Sequence, residues 1–266
     1  GTAGRTTLNG EGLQHEDGHS HLLASTVPNC VSYDPTFAYE LAVIIQDGLR
    51  RMYEAQEDIY YYITVMNENY AHPPMPKGAE EGILRGMYLY SEGKTERKGQ
   101  PKVQLLGSGT ILREVIAGAE LLARDFGVSA DIWSVTSFNE LRRDGLEAVR
   151  WNMLHPEGEP RAPYVEQCLR ERVGPVIAAT DYMKTYADQI RAFLPSPGRY
   201  SVLGTDGFGR SDTRRALRSF FEVDRHHVAV AALKSLADQE ALPQKKVSEA
   251  IKQYGLDPKK PNPARV

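Results

Sequence analysis

The chain has 266 residues, and its 32 lysines and arginines against 35 aspartates and glutamates leave a formal charge of −3. That balance argues against nonspecific nucleic-acid binding, which needs a clustered basic surface. Hydrophobic residues at 41% and charged residues at 25% exclude a disordered or fibrous chain, and no apolar run approaches the roughly 20 residues of a membrane helix. The expectation is one or two soluble domains, and the widely spaced Cys30 and Cys168 fit a reducing cytoplasm and offer no metal-ligand spacing.

The opening stretch, Gly1–Gly10, is polar and glycine-rich with no element ahead of it, and reads as the start of a piece whose upstream part packs against it. Residues 29–33 read as a strand and Asp34-Pro35 as the N-cap and first position of a helix. Phe37, Leu41, Ile44, Ile45, Leu49 and Met52 recur in that helix at the required spacing. A strand over 59–65 closes a strand, helix, strand unit. His72–Pro76 breaks structure and 90–101 is a charged loop, which together mark a linker and a boundary between about 75 and 102. Beyond it come strand 103–106, the turn Gly107–Thr110 and a helix with Ile111, Val115, Ile116, Leu121 and Leu122 on its apolar side. Strand 131–135, a helix near 138–150, strand 175–179, a helix near 182–193 and strand 200–203 continue the alternation, with two or three helices between 212 and 254. The pattern predicts an α/β fold with a parallel or mixed sheet covered by helices, and Gly255–Val266, with three prolines, reads as a frayed tail.

The densest chemistry lies in Asn9–His21, where Glu11, His15, Glu16, Asp17, His19 and His21 place three imidazoles and three carboxylates within thirteen residues. Imidazoles exchange protons near neutral pH and carboxylates orient or charge them, so the segment suits acid/base work; a surface loop with accidental histidines is the bland reading. His15-Glu-Asp-Gly-His19 also matches the zinc-protease pattern H-E-x-x-H, but Gly18 and the lack of an apolar stripe argue against the helix that this pattern requires. Gly107-Ser-Gly-Thr110 lacks the third glycine of a dinucleotide loop, Leu112 standing there. In the second glycine-rich loop, Leu203–Asp212, Asp212 is expected to cap the following helix and Gly207, Gly209 and Arg210 could approach an anion or a partner. Tyr60–Tyr62, Trp133 and Trp151 read as core or interface packing residues, His226-His227 as a pair at a helix or strand edge without catalytic duty, and Arg214-Arg215 and Lys245-Lys246 as solvated helix faces.

The run from Gly4 to His21, together with Asn67–Tyr70, Trp151–Pro156, Thr180–Lys184 and Val202–Asp212, resembles the homodimeric bacterial pyruvate dehydrogenase component, a thiamine-diphosphate-dependent member of the transketolase-like superfamily. The resemblance implies a carboxy-terminal fragment: the later part of a pyrimidine-binding domain over 1–75, a linker region over 76–101, and a transketolase-type C-terminal three-layer α/β/α domain over 102–266. It implies decarboxylation of pyruvate on thiamine diphosphate, with Mg, and reductive acetylation of the lipoyl group of the dihydrolipoyl acetyltransferase by a dimer of identical subunits, without nucleic-acid or membrane partners. The diphosphate and magnesium motif, Gly-Asp-Gly with a later Asn, is absent, and the glutamate that activates the aminopyrimidine falls upstream of Gly1, so no metal or cofactor ligand is expected here and the piece alone is expected to be inactive. By the same resemblance Glu11 and His15 face the substrate side of the cofactor, while Asp17, His19 and His21 shape the loop or reach substrate; the related transketolases would favour Asp17 and His21. The rival readings are a noncatalytic interaction or scaffold domain and, behind it, a zinc hydrolase using His15 and His19.

Overall fold

The structure is a computed structural model of the chain and describes residues 3–95 and 97–266. Its elements in chain order are α1 (Ser20–Ala24), β1 (Cys30–Tyr33), α2 (Ala38–Leu49), β2 (Tyr60–Ile63), α3 (Glu80–Arg85), β3 (Met87–Ser91), β4 (Lys102–Gly107), α4 (Ile111–Phe126) and β5 (Ser129–Val135). There follow α5 (Phe138–Leu154), α6 (Tyr164–Leu169), β6 (Val176–Ala179), α7 (Lys184–Asp188), β7 (Tyr200–Leu203), α8 (Arg214–Phe220), α9 (Arg225–Asp238) and α10 (Gln244–Gln253). Strands β3 to β7 form one sheet in the order β3-β5-β4-β6-β7, parallel except for β3.

The sheet is buried on both faces, and its sequence alternates accordingly. Val103 and Leu105, Ile132, and Ile177 and Ala179 pack on one side with the apolar stripes of α4 and α9. Leu106, Trp133 and Val135, and Ala178 pack on the other with Phe138 and Leu141 of α5 and Tyr186 of α7. Two helical layers enclosing a mostly parallel sheet are the α/β arrangement that the alternation implied. Gly127, at a φ of +63°, ends α4, and the Val128 N–H returns to the Leu122 carbonyl.

The amino-terminal part is thinner. β1 and β2 pair in parallel as a two-stranded sheet, with Cys30 opposite Tyr60 and Tyr33 opposite Ile63. A third apolar cluster of Val31, Tyr33, Ile44, Ile83 and Tyr88 joins this sheet to α2, α3 and β3. Polar bonds fasten it to the larger sheet: Ser137 Oγ donates to the Ser32 carbonyl at 2.6 Å and the Asp34 N–H to the Thr136 carbonyl at 2.7 Å.

Three local expectations change. Within 76–101, residues 80–91 fold as α3 and β3, and β3 lies antiparallel to β5 as the edge of the main sheet; the charged loop beside them masked a short apolar run. Asp34 caps no helix. The helix begins only after Phe37, and the Glu40 carboxylate reaches back to accept from the N–H groups of Thr36 and Phe37 at 2.5 and 3.0 Å. Thr213 rather than Asp212 caps α8, its hydroxyl accepting from the Ala216 N–H. Among the described residues no helix is long and apolar enough to cross a membrane.

Candidate functional site

The histidine segment is a loop held from below. Gly4 sits at a φ of +88° with its Cα against the Asp181 carboxylate, where any Cβ would collide. The Thr6 N–H then donates to both Asp181 oxygens at 3.2 Å. Arg5 crosses beneath the loop and donates through Nη1 to the carbonyls of Thr205, at 2.7 Å, and of Gly207. Its Nη2 meets His19 Nε2 at 3.1 Å. A guanidinium only donates, so this imidazole nitrogen accepts.

Above that floor, Leu13–His15 makes one 3₁₀ turn. His15 Nε2 and Glu11 Oε2 stand 4.0 Å apart, with the side chains 56% and 51% exposed, so both remain available to an incoming molecule. Asp17 has a different task. Its carboxylate accepts the N–H groups of His19 and Ser20 at 3.0 Å and the Ser20 hydroxyl, which starts α1. His15 in the 3₁₀ turn and His19 ahead of α1 share no helix face, so the geometry of H-E-x-x-H is not formed. Among the described residues no three His, Cys, Asp or Glu side chains gather as a metal cage.

His21 lies apart from the others, fully buried. Its ring stacks on Tyr186 at 4.8 Å and meets Tyr182 and Tyr62 edge-on at 4.7 and 5.6 Å. Burial pushes this imidazole down to about 3, so it is neutral at physiological pH. His21 Nε2 is 3.0 Å from Thr64 Oγ1, which in turn lies 2.8 Å from Asp34 Oδ1. Burial also raises Asp34 to about 7 and Asp181 to about 6. Glu16 is raised to about 8, first by burial and then by the Asp181 charge, and both its oxygens lack a hydrogen-bond partner.

The structure thus joins Glu11 with His15 at an open rim, makes Asp17 and His19 parts of the loop's frame, and sets His21 underneath. Arg5, Thr64 and Asp181 carry no site role in the sequence reading, and Asp34 stands there only as a helix cap. Each is an ordinary polar residue until the fold buries it, and only Gly4 and the Thr180–Lys184 run pointed toward their neighbourhood.

Two family profiles match the chain. The profile described as "Pyruvate dehydrogenase E1 component middle domain" matches residues 1–73, and that described as "Transketolase-like TK C-terminal domain" matches residues 86–224. The chain belongs to the transketolase-like C-terminal domain family. This transketolase-like chain is 68% identical over 263 residues to the pyruvate dehydrogenase E1 component of Pseudomonas aeruginosa, covering 99% of this chain and 30% of that one. It is 63% identical over 266 residues to that of Cupriavidus necator, at 100% and 29% coverage, and 57% identical over 264 residues to that of Escherichia coli, at 99% and 29%. The resemblance to bacterial pyruvate dehydrogenase components therefore holds along the chain, which spans about 30% of the length of these curated relatives. Among solved structures, a Campylobacter jejuni transketolase is similar with a TM-score of 0.59 at 16% identity, over 88% of this chain and 30% of that one. A Pichia stipitis transketolase in complex with a sugar phosphate gives 0.61 at 15% identity, over 90% and 30%. At such identities the likeness is one of fold.

Proposed function

We propose that this chain is the carboxy-terminal portion of a cytoplasmic, thiamine-diphosphate-dependent pyruvate dehydrogenase E1 subunit. The complete enzyme, a pair of identical subunits, decarboxylates pyruvate and passes the acetyl group to the lipoyl group of the dihydrolipoyl acetyltransferase. Residues 1–75 are then the later part of a pyrimidine-binding domain and 102–266 the C-terminal domain. Identity of 68% along the chain supports the reading, and the observation that carries it is the exposed Glu11–His15 pair on a loop whose floor is fixed.

The exposed Glu11 and His15 side chains suit the substrate side of the cofactor. Thiamine diphosphate, bound with Mg by the rest of the subunit, supplies the electron sink for decarboxylation. His15 hydrogen-bonds or protonates a substrate oxygen, with Glu11 orienting nearby groups. Asp17 and His19 keep the turn in place, and His21 supports it from below. On this reading the isolated chain is inactive.

Combining the chain with the rest of the E1 subunit and following pyruvate-dependent reduction of the lipoyl group tests this. His15→Ala should lower the rate by about 10²–10⁴, the range for loss of a positioned acid or base, with unchanged circular dichroism. Full activity in that variant would remove His15 from the site.

A further inference from the structure

Away from the histidine loop, the start of α4, α8, the first turn of α9 and residues 254–256 enclose a cavity of about 720 Å³, within the range of small-molecule sites. Its lining holds five arginines, Arg113, Arg214, Arg215, Arg218 and Arg225, against three carboxylates, Glu68, Glu114 and Asp224. The surplus is 5 − 3 = 2 positive charges in a chain whose own charge is −3.

The bonds show where that surplus resides. Arg218, with its side chain only 7% exposed, binds Glu68 and lies 3.6 Å from Glu114. Arg113 binds Glu68 at 2.7 Å, and Arg225 grips Glu114 through Nε and Nη2 at 2.9 and 3.1 Å. Asp224 spends one oxygen on the N–H groups of His226 and His227 and on the His227 ring. Burial raises Glu68, but its bonds from Arg218, Thr110 and Arg113 outweigh that and hold it at about 2, so this floor stays ionised at neutral pH. The two remaining guanidinium groups have no carboxylate partner among the described residues. Arg214 donates only to the Thr7 and Asn67 carbonyls and the Asn67 amide oxygen, and Arg215 is exposed with no partner among the described residues. Residues that read as a solvated helix face in the sequence therefore stand at the mouth of a pocket with a rigid ionic floor.

We propose that this cavity binds a small oxyanion of the diphosphate class, gripped by Arg215 beside the positive charge of Arg214. The open guanidinium fork of Arg215 matches phosphate oxygens two at a time, and Arg214, whose Nε and Nη2 bond neutral oxygens and leave its charge unbalanced, favours a ligand bearing at least two negative charges. The assignment is independent of the catalytic reading.

Calorimetric titration of the 266-residue chain with inorganic pyrophosphate at fixed ionic strength tests it, with a nucleoside diphosphate run alongside to separate a free inorganic ligand from an organic ester. Saturable one-to-one binding should weaken about tenfold or more in Arg215→Glu, the scale of one lost charge-assisted bond. Arg215→Gln should give a smaller loss of the same sign. Arg150→Glu, which makes the same charge change on the exposed face of α5, should alter affinity less than twofold. The proposal is overturned by no saturable binding of either ligand at millimolar concentration, or by equal losses in Arg215→Glu and Arg150→Glu.

Discussion

Glu16 shows how far a residue's chemistry depends on what surrounds it. Its sequence neighbours His15 and Asp17 keep solvent or hydrogen bonds, whereas its carboxyl is buried without a partner and raised to about 8. A folded-state value above the unfolded one of roughly 4.3 means that the native state holds more protons between about pH 4.5 and 8. Stability must then fall as pH rises through that window and level off above it. Asp34 and Asp181, raised to about 7 and 6, act with the same sign over narrower windows. Glu16→Gln should therefore be more resistant to urea than the parent at pH 8.5 and show a shallower decline from pH 5 to 8. An unchanged pH slope in the variant would show that Glu16 is not the protonated group. The crowding of imidazoles and carboxylates was visible in the sequence, but which of them meets water was not, since burial of Glu16 requires Gly209, nearly 200 residues away, to pass against its Cβ.

At the level of elements, legibility followed pattern length. α4 and β5 carry long apolar periodicities, and the reading found them to within a few residues. α3 and β3 were lost because six- and five-residue elements have too few positions to establish a period, and the neighbouring proline and charge signals dominated. The start of α2 failed for another reason: Asp34-Pro35 has the composition of a cap, yet the side chain that bonds the free N–H groups is Glu40, one turn into the helix. Ser137 caps α5 while its hydroxyl holds the Ser32 carbonyl of β1. Ser137→Ala removes both bonds and leaves a buried carbonyl unpaired, so it should cost about 1–3 kcal/mol, measured by chemical denaturation. A loss below 0.5 kcal/mol would mean that the link between the two sheets is elsewhere.

Across the whole molecule, cohesion is uneven. The five-stranded sheet lies between two helical layers, whereas β1 and β2 form a pair whose Tyr60 is exposed, beside an α2 that presents Ile45 and Leu49 to solvent. Two strands alone are marginal in water, and regions with few buried contacts open first. Amide hydrogens of β2 should exchange with deuterium at least tenfold faster than those of β4 and β5 in the isolated chain. Equal protection would mean that the amino-terminal unit opens only with the rest.

Arg5 ties residue 5 to carbonyls at 205 and 207. The strand of chain leading into the histidine loop thus leans on a turn from late in the sequence, and a change at Thr205 or Gly207 reaches the His19 imidazole through a single guanidinium.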